Sequence, residues 1–274
     1  MILPVLKPGK PAGEGGSYRP ISLLSPCVKI KERLLLPYCN DAFGLSDDQH
    51  GFRPLRSTST ALLPIVSSVA RGFNERKPPK RTAVVSADIS KAFDSVNHDL
   101  LLAKVASTNL HNNIVRWLNA YLRGRSARCI YNGVKSKARI IHTGTPQGSV
   151  LSPSLWNLFV ADCPHVTQPQ PFYADDLYLV VSRSKVAELG PALTSALDEV
   201  SDWADKNKLE LSPEKSSVTL FTPDTHETNY HPLVLLKGVP LKLDKRPGSN
   251  LIPISLLVPI SKSFGGKLLV VSGF

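Results

Sequence analysis

Phe172-Tyr173-Ala174-Asp175-Asp176-Leu177-Tyr178-Leu179-Val180 sets two adjacent carboxylates between apolar residues on both sides. Neighbouring side chains of a strand point to opposite faces, so such a pair at mid-strand drives one charge into the core. At the tip of a β-hairpin that cost disappears: both carboxylates lean outward and the flanking apolar residues anchor the two arms. Adjacent carboxylates disfavour each other's ionisation unless a cation sits on them. Magnesium suits the pair, because it takes one or two carboxylates together with phosphate oxygens. The stretch therefore predicts half of a metal site on a hairpin, to be completed by a carboxylate from elsewhere in the chain.

The completing group is found upstream. Residues 82–87 (Thr-Ala-Val-Val-Ser-Ala) read as a buried strand that ends in Asp88, before Ile89-Ser90-Lys91-Ala92-Phe93-Asp94. Asp88 at the end of an apolar strand is inferred to be the third carboxylate; the competing reading is a helix cap. Asp94 is expected to cap or brace the turn that follows.

Composition bounds the partners. The chain has 274 residues, 42% hydrophobic, enough for one large domain or two modest ones. Its 33 Lys+Arg against 22 Asp+Glu give a net charge of +11, which suits a phosphate-rich partner. The four cysteines, Cys27, Cys39, Cys129 and Cys163, are scattered without a Cys-x-x-Cys pair and read as reduced core thiols rather than a zinc site or disulfide framework. No apolar run approaches the roughly 20 residues of a membrane span, so no membrane partner is expected. Pro4 and Lys7 interrupt the first residues at once, which argues against a signal peptide and for an intracellular protein.

The rest of the chain reads as short elements separated by punctuation. Residues 1–26, with Lys7, Lys10 and Arg19 on a Pro- and Gly-rich backbone, predict a basic loop or hairpin able to hold phosphates, or else a flexible basic terminus. Residues 28–43 suggest an amphipathic helix ending near Pro37. His50-Gly51-Phe52-Arg53-Pro54 suits a backbone turn that aims guanidinium groups outward. Ser57 is placed to cap a helix that Pro64 keeps short. Helices are predicted over 99–107 and 111–122, and a hairpin joins 127–131 to 138–143 around Asn132-Gly133. In Gly144-Thr145-Pro146-Gln147-Gly148-Ser149 two glycines allow a ligand close to the backbone, and Ser149 or Ser152 starts the next helix. Residues 187–208 carry Leu189, Leu193, Leu197, Val200 and Trp203 at helical spacing, a core stripe. Lys215 falls in a turn just before a strand at 218–221, from where it can point at an active site. From Lys245 onward the chain turns Pro-, Ser- and Gly-rich without a clear period, and a makeshift or poorly ordered tail is expected.

Taken in order, six blocks resemble the reverse transcriptase domain of non-LTR retrotransposons, with group II intron enzymes as more distant relatives. They are Tyr18-Arg19-Pro20-Ile21-Ser22-Leu23, His50-Gly51-Phe52-Arg53, the segment 88–94, the segment 144–153, Tyr173-Ala174-Asp175-Asp176, and Leu211-Ser212-Pro213-Glu214-Lys215. The resemblance implies an α+β fold: a right-hand polymerase palm, a small antiparallel sheet backed by helices, with partial fingers and the thumb absent. Residues 1–81 would be partial fingers. Residues 82–225 would be palm, with fingers-side helices and a hairpin inserted at about 105–143, and 226–274 a degenerate tail in place of primer grip and thumb. It implies an RNA-directed DNA polymerase acting on an RNA template, a DNA primer and dNTPs with two Mg2+ ions, Mn2+ being an alternative. Asp88, Asp175 and Asp176 would be the metal-binding catalytic acids, and Lys215 the general acid toward pyrophosphate. Phe93 would exclude a 2′-hydroxyl. Gln147 and Gly148 would pack beside the incoming nucleotide, Arg19 and Arg53 would clamp its triphosphate, and Tyr173 would touch the primer end. An active element would work in the nucleus at its site of integration. The alternatives are an inactive RNA-binding relic of such an element and a metal-dependent nuclease.

Overall fold

A computed structural model describes residues 1–75, 78–227 and 229–244. These fall into two units, one made of 1–46 with 91–162 and the other of 47–90 with 163–244. In chain order, β1 (Ile2–Leu6) pairs antiparallel with β2 (Tyr18–Ser22), so the basic N-terminal stretch is a hairpin. α1 (Pro26–Ala42) and α2 (Thr58–Asn74) follow. Both run through the prolines expected to stop them, Pro37 and Pro64. An interior proline removes one backbone hydrogen bond and costs about 3 kcal/mol. Each helix offsets that with a buried face, Glu32 and Cys39 on α1 and Ala61, Leu62, Ile65 and Val69 on α2. Ser57 caps α2 as expected, in a capping box: the Thr60 amide donates to Ser57 Oγ and the Ser57 amide to Thr60 Oγ1.

Next come β3 (Arg81–Ile89), the single turn α3 (Ala92–Ser95), α4 (His98–Ala106) and α5 (Asn112–Leu122). The hairpin after α5 is double. The outer strands β4 (Ser126–Ala127) and β7 (Arg139–Ile140) enclose β5 (Ile130–Tyr131) and β6 (Val134–Lys135). Asn132 and Gly133 turn the inner pair with φ of 48° and 79°, the left-handed values that an Asn-Gly turn supplies. α6 (Ser152–Val160) follows, with Ser149 Oγ accepting from the amides of Leu151 and Ser152. In this first unit Leu101, Val105, Leu118, Leu122, Leu155 and Phe159 are buried where α4 packs on α5 and α6.

The second unit is organised on β3. After the short β8 (Phe172–Tyr173) and β9 (Asp176–Arg183) come α7 (Leu189–Lys206) and β10 (Leu211–Phe221). The small strands β11 (Leu235–Leu236), β12 (Val239–Pro240) and β13 (Lys242–Leu243) complete it. The five-stranded sheet runs β13-β10-β3-β9-β8, antiparallel except where β13 joins β10. β3 sits at its centre and is buried from Thr82 to Ala87, which is why its residues form a continuous β-branched and small apolar run. On one face Val84, Tyr178, Val180 and Phe221 meet Ile65 and Val69 of α2. α7 packs against β9 and β3 with Leu189, Leu193, Leu197, Val200 and Trp203 buried, the expected stripe.

The last long strand starts at Leu211 rather than 218, so Lys215 lies within β10 and not in a turn before it. Of the cysteines, all free, Cys39 and Cys163 are core thiols, whereas Cys27 is exposed and Cys129 half-buried. Among the described residues no helix is long and apolar enough to cross a membrane. The tail expected after Lys245 lies outside the described residues.

Candidate active site

The acidic stretch forms the hairpin its composition calls for. Phe172 and Tyr173 pair with Leu177 and Asp176, leaving Ala174 and Asp175 as the turn. Ala174 adopts φ of 57°, a left-handed value unusual for alanine, which makes so tight a turn close. Asp176 does not lean out freely. It is the first residue of β9, and across the ladder its partner is Asp88 of β3. Residues 88 and 176 are thus direct cross-strand neighbours, with Cβ atoms roughly 4.5–5.5 Å apart in such a pair. Asp175 follows the same turn, so the structure brings the three predicted acids to one end of the sheet.

The electrostatics follow from this crowding. Burial, then Asp175, then Asp88 push the Asp176 carboxyl up to about 6. Lys215 answers the charge from the other side, its Nζ 3.2 Å from Asp88 Oδ2. A bulge makes that reach available. Between Ser212, opposite Asp88, and Ser217, opposite Ser86, β10 carries four residues where β3 carries one. Ser216 closes the bulge by accepting from the Asp88 amide and donating to the Ser212 carbonyl at 2.6 Å.

Two more predicted residues belong to this unit. Tyr173 is half-buried against the cluster of Ile65, Val69 and Tyr178. Arg53 donates through Nη1 to the Gln49 carbonyl at 3.2 Å, and Arg56 pairs with Asp47 at 2.8 Å. Arg56 Nη1 also donates to the Asp47 carbonyl at 3.0 Å, so both guanidiniums brace the backbone of the turn that carries them. Among the described residues no three acidic, histidine or cysteine side chains are gathered into a ready-made metal cage. Magnesium does not require one, since substrate phosphates and water complete its shell.

The remaining predicted residues lie in the first unit. Arg19 is exposed on β2 opposite Val5. Phe93 is half-buried, its ring 5.5 Å from that of Trp156. The Gln147 amide donates to both carboxylate oxygens of Asp94 at 3.0 Å, and its carbonyl accepts from the Ser22 amide at 2.7 Å. Asp94 therefore braces Gln147 as well as its own turn, and burial lifts its carboxyl despite that bond. The glycines of this loop admit neighbouring backbone. A Cβ on Gly144 would stand 2.7 Å from the Asp94 carbonyl oxygen, and one on Gly148 would stand 3.2 Å from that of Ser22. The Gly144 carbonyl is in turn held by Arg125 at 2.6 Å and His98 at 2.8 Å.

Glu32 has no forerunner in the sequence reading. It is fully buried, accepting from Tyr121 Oη at 2.5 Å, Ser149 Oγ at 3.0 Å and the Val150 amide at 2.7 Å. It thereby ties α1 to α5 and to the loop that carries Gln147. No local signal marks it, because an isolated glutamate on an amphipathic helix reads as part of the solvated face.

Residues 5–242 match the family model described as Reverse transcriptase (RNA-dependent DNA polymerase). The chain belongs to the reverse transcriptase family. Among curated relatives it is 33% identical over 237 residues to the Probable RNA-directed DNA polymerase from transposon BS of Drosophila melanogaster, covering 82% of this chain and 26% of that protein. It is 30% identical over 234 residues to the RNA-directed DNA polymerase from mobile element jockey of Drosophila funebris, covering 81% and 25%. This reverse transcriptase domain thus spans about a quarter of the length of these relatives, and the LINE-like resemblance of its six blocks is borne out. Among solved structures, apo telomerase from Candida tropicalis truncated from its C-terminal domain superposes with a TM-score of 0.52 at 12% identity, over 75% of this chain and 48% of that one. That likeness concerns the fold: an α+β polymerase palm, as expected.

Proposed function

We propose that this reverse transcriptase domain adds deoxynucleotides to a primer 3′-hydroxyl on an RNA template, as one part of a longer retroelement protein. The observation that carries the reading is the cross-strand pairing of Asp88 with Asp176, beside Asp175, with the Asp176 carboxyl held up to about 6 by burial and then by its acidic neighbours. Acids so crowded favour a shared cation over solvent, so they fit two divalent ions, magnesium with manganese as the alternative. Bound there, such ions would sharpen the attacking hydroxyl and neutralise the triphosphate. Asp88 and Asp175 would hold them, with Asp176 assisting.

The chain's own groups then have distinct tasks. As the 3′-hydroxyl gives its proton to solvent and its oxygen bonds to the α-phosphorus, the bond to the bridging oxygen breaks and Lys215 Nζ gives a proton to the departing pyrophosphate. Its lodging beside Asp88 keeps it next to the acids. Arg19 and Arg53 hold the triphosphate, and Gln147, fixed by Asp94, and Gly148 flank the base pair being made. Phe93, backed by Trp156, blocks a 2′-hydroxyl, and Tyr173 meets the primer end. Residues 82–225 serve as palm and 1–81 as partial fingers in this reading.

Primer extension by the full chain on an RNA template tests it. Magnesium-dependent incorporation of dNTPs over rNTPs is expected, with Asp88→Asn and Asp175→Asn each lowering it by at least about 10³-fold, the scale of losing charge stabilisation in the transition state. Extension by Asp175→Asn at the wild-type rate would overturn it. So would salt-sensitive RNA binding with no extension at any enzyme concentration, the behaviour of an inactive relic.

A further inference from the structure

The turn that carries Asp175 rests on another part of the chain. Residues 48–51 run alongside β8 as a short strap: the Phe172 amide donates to the Asp48 carbonyl and the His50 amide to the Phe172 carbonyl, both at 2.8 Å, and Gln49 bridges to Phe172. The strap is itself braced. Gln49 Oε1 accepts from the Gly51 amide at 2.8 Å, and Asp48 Oδ2 lies 3.1 Å from His165 Nδ1. At its end Gly51 is buried directly against Ala174. A Cβ added there would collide with the Ala174 backbone, standing 2.7 Å from its Cα and closer still to its nitrogen. Gly51 has no left-handed φ to explain it, unlike Phe52 and Leu55 beyond it, with φ of 58° and 61°. It is glycine because backbone passes against backbone.

From this packing we infer that Gly51 is a positioning residue: it sets the height of the Ala174-Asp175 turn and so the place of the Asp175 carboxylate relative to Asp88 and Asp176. The inference deepens the proposed function and rests on those acids acting together. Ala174 is already in a left-handed conformation, so the turn cannot absorb a displaced backbone by a small rotation. Any side chain at 51 moves the carboxylate. A shift of about 1 Å at a reacting centre is enough for a 10²-fold loss.

The test reads cation binding and extension separately. Mn2+ is titrated into the full chain and followed by electron paramagnetic resonance, for wild type, Gly51→Ala, Gln49→Ala and Gly15→Ala. The last is the control, since a Cβ at Gly15 meets nothing within 4 Å. Gly51→Ala is expected to bind Mn2+ about 10-fold more weakly and to extend a primer with kcat down 10- to 100-fold at little change in the KM for dNTP. Gly15→Ala should match wild type. Gln49→Ala adds no atoms, removing the brace together with a buried side chain, and should weaken Mn2+ binding about 3-fold; it decides the matter if Gly51→Ala does not fold. Wild-type Mn2+ affinity in folded Gly51→Ala, or in Gln49→Ala should that variant not fold, overturns the inference and leaves the polymerase reading intact. Weakened Mn2+ binding in a chain that never extends a primer upholds the inference and overturns the polymerase reading. A wild type that binds no Mn2+ overturns both.

Discussion

At the scale of single residues, Asp176 reports the site through its own titration. Its carboxyl is raised to about 6 by burial and by Asp175 and Asp88. In an unfolded chain the same group titrates near about 3.9. Between those values the folded state binds the proton and the unfolded state does not, so this carboxyl's contribution to stability is fully present below about pH 4 and is lost as pH rises through 6. Replacing Asp176 with Asn removes that contribution. Urea unfolding at pH 4 and pH 7 without divalent cations should show the variant gaining on wild type by about 1–2 kcal/mol at the higher pH, solvent screening having taken off part of the full effect. Equal slopes in the two proteins would contradict the crowding. These acids were legible in the sequence because an adjacent carboxylate pair inside an apolar run is too costly to be accidental. Gly51 was legible as a glycine in a turn but not as a contact, since the atom it makes room for lies at Ala174. Asp94 was read as a brace, while Gln147, the side chain it holds, is 53 residues away.

At the scale of elements, the parts that were legible are those whose pattern is local. The stripe of α7, the buried run of β3 and the Asn-Gly turn each follow from residues within a few positions. Elements whose limits depend on distant partners are not legible from local pattern. α1 and α2 outrun their prolines because buried faces outweigh a lost hydrogen bond, and β10 starts early because its bulge keeps pairing with β3 on both sides. Glu32 is the extreme case, with partners 89 and 117 residues along the chain. Its removal strands buried donors on α5 and at the start of α6. Glu32→Ala should therefore lower stability by about 3 kcal/mol in chemical denaturation, a cost typical of orphaned buried partners of a charge. A loss below about 1 kcal/mol would mean that water replaces the carboxylate at no great expense.

At the scale of the whole molecule, six ordered blocks made the family legible. Residues 47–90 join 163–244 across a long excursion, so neither unit is a continuous stretch. What makes the excursion matter is that Asp88 and Asp175 lie on opposite sides of it and still belong to one sheet end. The most direct measurement of that convergence replaces Mg2+ with Fe2+ and lets iron-generated hydroxyl radicals cut the nearby backbone. Convergence of the acids predicts two sets of fragments from the folded chain, one ending near residue 88 and one near residue 175, both suppressed together by added Mg2+ and both lost in Asp88→Asn. Cuts at only one of the two positions, or cuts that Mg2+ leaves untouched, would contradict it.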